Sequence, residues 1–362
     1  MEPSRLLLYC RAGFERECAQ EITAVAGEMG AEGFVRARPE SAFTLFTAHE
    51  EAMGADLAKH VALRSLVFAR QAVRVGDLIT LPEGDRVTPI VAAARALGTR
   101  FTGIFVEMPD TNDGKSLATL IRPLTPHLEK ALRKAGVDFA DAGAGARLHV
   151  FFVGGLACQV GVSDPAQASP WPMGIPRLRM PSGAPSRSTL KLAEAFGEFL
   201  DERSLARLAP GTSAVDLGAS PGGWTWQLVR RGVSVTAVDN GAMDAALMDS
   251  GLVKHRRTDA LSYRPAAPVD WMVCDIVESP SRVAHLAARW IAEGWCRETI
   301  FNLKLPMKKR WEEVLRARSI IDEALGGGYF LRMKQLYHDR EEITAYLARR
   351  KKGSDPLSHG EE

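Results

Sequence analysis

The 362-residue sequence predicts an α/β protein, with a mostly parallel, doubly wound sheet in its C-terminal half and smaller α+β units before it. Three observations predict this. Strand-like and helix-like apolar patterns alternate along most of the chain. A glycine-rich segment, Asp216 to Trp224, falls between a strand pattern and a helix pattern. Six prolines crowd the 21 residues from Pro165 to Pro185, where regular ladders cannot continue.

The elements follow in order. Leu6 to Cys10 is a short apolar run, and Phe14, Cys18, Ile22 and Val25 share one helical face. Gly33 to Arg38 and Ala42 to Phe46 read as strands, Ala52 to Leu63 as a helix and Leu66 to Val75 as a strand. That β-α-β-β-α-β order predicts a ferredoxin-like unit over residues 1–76. A second unit, residues 77–163, begins with a helix over Pro89 to Leu97 and a strand over Phe101 to Glu107. A helix with a proline-containing break spans Ser116 to Gly136, and strands at Leu148 to Val153 and Ala157 to Val162 close the unit. These first 163 residues hold no nucleophile, metal cluster or glycine-rich phosphate loop, so they read as a binding or scaffolding region.

Residues 164–185 read as a semi-rigid linker. Trp171, Arg177 and Arg179 offer base stacking and phosphate pairing there, which makes the two arginines candidate RNA contacts. Residues 186–348 then begin with a helix marked by Leu190, Leu192, Ala195, Phe196 and Phe199. Buried strands are expected at Ala214 to Leu217, Val233 to Val238, Trp271 to Cys274 and Thr299 to Leu303. Phe330 to Gln335 and Ile343 to Leu347 finish the sheet, and the polar tail 349–362 is expected to fray.

Composition narrows the class. Hydrophobic residues at 46% and charged residues at 25% exclude global disorder and fibrous structure. The net charge of +2 is too small for binding nucleic acid by bulk charge. From Leu303 to Lys352, however, 13 Lys and Arg face 7 Asp and Glu, a local excess that fits a polyanion. The five cysteines are scattered and never spaced as CxxC, which argues against disulfides and zinc and for a reducing compartment. No histidine spacing matches a metal site, no signal peptide opens the chain, and the longest uncharged apolar stretch is too short to span a membrane. A cytoplasmic protein without a membrane segment or a metal is expected.

The segment DLGASPGGW carries the most chemistry. Glycines let backbone approach a ligand, and the following helix start presents free N–H groups. Ligands of open α/β sheets bind at the carboxyl ends of strands, where this loop lies. A G-x-G-x-x-G dinucleotide fingerprint would need glycine at Ser220. A G-x-S-x-G hydrolase elbow would need a backbone N–H after Ser220, and Pro221 has none. An S-adenosylmethionine loop remains, with Gly218, Ser220, Pro221, Gly222, Gly223 and Trp224 around the cofactor. Asp239 ends the next strand, where it can accept from both ribose hydroxyls, and Asp259 is placed to approach the adenine amino group. Lys191, Asp275, Lys304 and Glu342 are scattered in sequence, but the last three lie at strand termini.

DLGASPGGW, the preceding SRSTLKL, the VCD and LKLP strand ends and the late REEIT together resemble the FtsJ/RrmJ-like ribose 2'-O-methyltransferases. LYCRAGFERECAQEI, SLVFARQ, MGIPRL and FNLKLPMKKR make nearly the whole chain similar to the bacterial THUMP-containing enzymes that methylate a cytidine ribose in 23S rRNA. The resemblance implies a Rossmann-like S-adenosylmethionine-dependent domain behind a ferredoxin-like and THUMP α+β RNA-binding region. It implies a Lys191-Asp275-Lys304-Glu342 tetrad, Glu342 being favoured over Glu341 because it directly precedes the apolar strand residue. Ser188, in SRSTLKL, and Asp275 join the cofactor contacts. A lysine is charged at neutral pH, so Lys304 as general base would need its pKa lowered by Lys191, the sulfonium and partial burial. Asp275 would orient it, and Lys191 and Glu342 would position the ribose, with oxygen, carbon and sulfur held in line.

Other acceptors fit less well. A 5-methylcytosine enzyme needs a cysteine, usually after proline, and the chain has no Pro-Cys; exocyclic amino methylation usually uses a Pro-Pro loop, and the chain has no Pro-Pro. Lys308, Lys309 and Arg310 follow the proposed base and would clamp flanking phosphates. The expected partner is 23S rRNA, unassembled or partly assembled, with no obligate protein partner. A tRNA ribose methyltransferase and a non-catalytic rRNA-binding assembly factor are the rival readings.

Overall fold

In the first unit of the computed structural model, a seven-strand path with one side branch is built from segments far apart in the chain. Residues 4–140 and 145–350 are described. The chain divides into Met1–Pro176 and Arg177–Glu362. The first unit opens with β1 (Arg5–Tyr9), α1 (Glu15–Glu28), β2 (Gly33–Ala37), β3 (Phe43–Ala48), α2 (Glu51–His60) and β4 (Gln71–Val75). It continues through β5 (Ile79–Thr80), α3 (Val87–Leu97), β6 (Arg100–Phe101) and β7 (Ile104–Glu107). Then come α4 (Asn112–Ser116), α5 (Ala118–Lys134), β8 (Asp138–Phe139), β9 (Arg147–Gly154) and β10 (Ala157–Ser163). The main sheet runs β2-β3-β1-β4-β10-β9-β7, with β5 added on β10. Leu6, Leu7 and Leu8 are all buried because β1 is central, between β3 and β4.

The ferredoxin-like strands and the second segment therefore share one sheet. Their joint is the antiparallel contact of β4 with β10, where Gly161 faces Val75. A Cβ at Gly161 would strike the Arg74 carbonyl and come within 2.7 Å of Val75 Cγ1, so glycine permits that approach.

Several expected boundaries move for identifiable reasons. Leu66 to Arg70 is not strand; the backbone N–H groups of Val67 and Phe68 donate to the Glu21 carboxylate of α1, at 2.5 and 2.9 Å. Phe101 to Glu107 divides into β6 and β7. The α5 helix runs unbroken through Pro123 and Pro126, where a break was expected; burial of Ile121, Leu128 and Leu132 opposes the lost backbone bonds. The first half of the proline-rich segment also lies on this unit. Met173 N donates to Glu107 Oε1 at 2.5 Å, and Ile175 is buried.

The second unit holds α6 (Thr189–Phe199), α7 (Glu202–Ala206), β11 (Ser213–Leu217), α8 (Gly223–Val229), β12 (Ser234–Val238) and α9 (Ala245–Asp249). There follow β13 (Val253–Arg256), β14 (Val269–Cys274), α10 (Pro280–Ala292), β15 (Cys296–Lys304), α11 (Arg310–Leu325), β16 (Tyr329–Lys334) and β17 (Glu342–Arg349). The sheet order is β13-β12-β11-β14-β15-β17-β16. The first five are mutually parallel, and β17 is antiparallel to both β15 and β16. The parallel strands thus end at one edge, and the antiparallel β17 begins there. Arg349, expected in a frayed tail, ends β17 with its Nε donating to Ile291 O at 2.9 Å; residues 351–362 lie outside those described. No helix among the described residues is long and apolar enough to cross a membrane.

Candidate active site

Strand direction assembles the cluster. Asp275 follows β14, Lys304 ends β15 and Glu342 begins β17 directly opposite Lys304 in the ladder. Lys191, near the start of α6, reaches the same place. Its Nζ lies 3.3 Å from Asp275 Oδ2 and pairs with Glu342 Oε1. Lys304 Nζ donates to Asp275 Oδ1 at 2.5 Å and to Glu342 Oε2. Two ammonium groups and two carboxylates so alternate in a closed square. Glu341 points elsewhere, accepting from Arg310 at 2.6 Å.

One expectation is reversed. As a general base, Lys304 is expected to hold its amine below the ordinary lysine pKa. Burial does push it down, but Asp275 and Glu342 raise it by charge and hydrogen bonding, and the net shift is upward. The free site therefore holds Lys304 charged.

Residues that sequence reasoning missed hold this square in place. Asn302 donates to Asp275 Oδ1 at 3.1 Å and accepts from Thr344 at 2.8 Å. Its signal was present: a polar residue inside a buried strand, two positions from Lys304 and so on the same face. Glu194 of α6 accepts from Tyr337 N and His338 N, at 2.7 and 2.9 Å, joining the Lys191 helix to the turn before β17. Nothing in local sequence marks that contact.

The glycine-rich loop lies beside the square. Gly218 adopts φ +79°, and a Cβ there would meet Ile276 Cγ2 at 2.7 Å. Gly222 adopts φ +120°, where a Cβ would strike Leu247. Bulk at Gly223 would strike Ser186 and Ser188, so Ser188 abuts the loop. Ser220 N donates to Asp239 Oδ2 at 3.0 Å, and Gly241 N to Asp239 Oδ1 at 2.7 Å. Each of those oxygens keeps a second lone pair for a ligand hydroxyl. Pro221 is exposed, as Asp259 is, and the Asp259 carboxylate caps its own turn at Leu261 and Ser262. Trp224 differs from expectation: its side chain lies in the hydrophobic core, 3% exposed, leaving only its backbone near a ligand.

Under the loop, Asp216 is fully buried. Desolvation, with smaller repulsion from Asp275 and Asp239, outweighs the Thr225 hydrogen bond and raises its pKa to about 7. Its Oδ1 has no hydrogen-bond partner among the described residues. A cradle closed to any Cβ and surrounded by carboxylates suits a cationic, hydroxyl-bearing ligand, and S-adenosylmethionine fits that chemistry.

Among the candidate RNA contacts, Lys308 and Lys309 are exposed, as are Arg177 and Arg179. Arg310 differs, since its side chain is only 14% exposed and is bound to Glu341. No group of acids, histidines and cysteines among the described residues could hold a metal ion.

Comparison with known proteins assigns the chain. Residues 3–73 match the RlmM ferredoxin-like domain and residues 85–164 the N-terminal domain of ribosomal RNA large subunit methyltransferase M. Residues 184–321 match the FtsJ-like methyltransferase family. The ribosomal RNA large subunit methyltransferase M of Methylococcus capsulatus is 51% identical over 95% of this chain and 98% of its own. The chain belongs to the ribosomal RNA large subunit methyltransferase M family. Family members from Thauera aminoaromatica and Aromatoleum aromaticum are 50% and 51% identical, over 94% and 96% of this chain and 95% of each of theirs. As a member of this family the protein is an S-adenosylmethionine-dependent methyltransferase. Glu342 lies beyond the residues that the FtsJ-like match covers, so its membership of the square rests on the β15–β17 register.

Proposed function

We propose that this protein methylates large-subunit ribosomal RNA, at the ribose 2'-hydroxyl of a cytidine in 23S rRNA, with Lys304 as general base. One observation carries the reading: Lys304 and Lys191 share Asp275 and Glu342 at the strand edge next to the glycine-rich loop. When bound, S-adenosylmethionine supplies an electrophilic methyl group on a sulfonium. The loop at Gly218 to Gly223, with Ser188, Asp239 and Asp259, holds that cofactor. Lys304 Nζ then takes the proton of the ribose hydroxyl as the oxygen gains its methyl group. Because Lys304 is charged in the free site, it must first release a proton to solvent, which Lys191 and the sulfonium of a bound cofactor would favour against the pull of Asp275 and Glu342. Lys191 and Glu342 hold the ribose, and Asp275 with Asn302 aims the base. Lys308, Lys309, Arg177, Arg179 and the first unit contact the RNA.

The test is Lys304→Ala, assayed on 23S rRNA transcripts with mass spectrometry of the nucleosides. The variant is expected to bind cofactor and RNA yet form no 2'-O-methylcytidine, a loss of at least about 100-fold. Wild-type turnover is expected to rise with pH through the neutral range, because the base starts protonated. Near-normal methylation by the variant overturns the general-base role. Methylation confined to tRNA moves the substrate to tRNA.

A further inference from the structure

The two most exposed large apolar side chains among the described residues are Val277, at 90%, and Met307, at 87%; the next, Leu78, reaches 51%. Both stand at the carboxyl edge that carries the square. Val277 lies two residues after Asp275 and Met307 three residues after Lys304. Such stretches of chain reach at most about 7 and 11 Å. Their parent strands, β14 and β15, are neighbours, with Cys274 paired to Phe301.

Neither loop is loose. On one side Ile276 abuts Gly218, and Glu278 accepts from Ser279 N at 3.0 Å just before α10. On the other, Leu305 N donates to Glu341 O at 2.8 Å, and Arg310 grips the Glu341 side chain. Between these anchors Lys309 adopts φ 60°, uncommon for a residue with a Cβ, so the turn is held in a demanding shape. The result is two exposed apolar side chains carried on anchored backbone beside a polar site.

We propose that Val277 and Met307 are apolar walls that hold the base of the acceptor nucleotide while its ribose reaches Lys304. The inference rests on the ribose-methylation reading. Sequence-specific RNA recognition targets single-stranded segments whose unstacked bases pack on protein side chains, so a nucleotide offering its ribose at this strand edge would bring its base against these two apolar side chains. Charge favours RNA as the occupant: Lys308 and Lys309, next to Met307, are exposed and suited to phosphate.

The test compares Val277→Ser, Met307→Ser and the double variant with wild type on 23S rRNA. Side chains this exposed carry no packing, so folding and cofactor affinity are expected to stay within about twofold. Each single variant is expected to lower kcat/KM for RNA about 5–20-fold and the double variant about 50-fold or more. Val277→Ile and Met307→Leu should keep activity within about threefold. The salt slope of RNA binding should not change in the serine variants, whereas Lys308→Ala should reduce it by about one unit. A double variant equal to wild type overturns the inference alone. A wild type that methylates no ribose overturns the underlying reading and this inference with it. Self-association lost in the double variant reassigns the two side chains to a protein interface.

Discussion

Asp216 is a carboxyl group kept where its charge is poorly tolerated. Its folded pKa, raised from 3.8 to about 7 by burial, means that the native state binds the proton more tightly than the unfolded chain. Below pH 4 both states are neutral, and the full stability is present. As pH rises towards 7 the unfolded chain ionises first, and native stability falls. A shift of about three units corresponds to a loss of at most about 4 kcal/mol by pH 8. Asp216→Asn keeps a partner for Thr225 and has no charge to lose. Urea unfolding of the cofactor-free protein should therefore weaken between pH 5 and pH 8 by about 2–4 kcal/mol more in wild type than in Asp216→Asn. Parallel pH dependence in the two proteins would sink this assignment. The same contest between burial and neighbouring charge explains why the Lys304 expectation failed. Sequence places a lysine at a strand end, but the balance there depends on two carboxylates 29 and 38 residues away.

Elements were legible where one strand or helix carried its own signal. β11, β14 and β15 read as apolar runs because a parallel sheet covered by helices buries both faces. α6 showed its buried stripe of Leu192, Ala195, Phe196 and Phe199 for the same reason. β13 was not legible: Val253–Arg256 is a polar edge strand, half-exposed along its length. Leu66 to Ala69 misled because its apolar content promised a strand while Glu21, 46 residues before Val67, had taken its donors. The tie between α6 and β17 belongs to the same class. Glu194 accepts three hydrogen bonds from Tyr337 and His338, so it fixes the separation of Lys191 from Glu342 without touching either. Glu194→Ala removes the acceptor of all three of these part-buried hydrogen bonds and should cost about 2–4 kcal/mol. It should also lower kcat more than it changes KM for cofactor, since the loop at Gly218 is untouched. Equal losses in both parameters would show that the residue supports the fold in general rather than the spacing of the square.

At the scale of the molecule, each unit has its own sheet and its own core. The first unit is tied by a buried polar network rather than by apolar packing alone. Glu107 Oε2 accepts from Tyr9 OH at 2.8 Å and lies 2.8 Å from His149 Nδ1, while His149 Nε2 lies 2.8 Å from Ser163 Oγ. Serine, histidine and carboxylate stand in the order of a hydrolytic triad. At 3%, 1% and 1% exposed, however, they admit no substrate, so the network is structural. It spans both sides of the joint, with Tyr9 on β1 and the others on β7, β9 and β10, and it reaches the proline-rich segment at Met173 N. Glu107→Gln replaces one acceptor oxygen by a donor and leaves buried partners unmet, at a cost of about 2–4 kcal/mol. Because the second unit has a separate core, its cofactor affinity should not change. Calorimetric unfolding is expected to resolve two transitions. S-adenosylmethionine should raise only one of them, by mass action, and Glu107→Gln should lower only the other, by roughly 4–12 °C. A single transition moved by both perturbations would mean that the two cores unfold as one cooperative body.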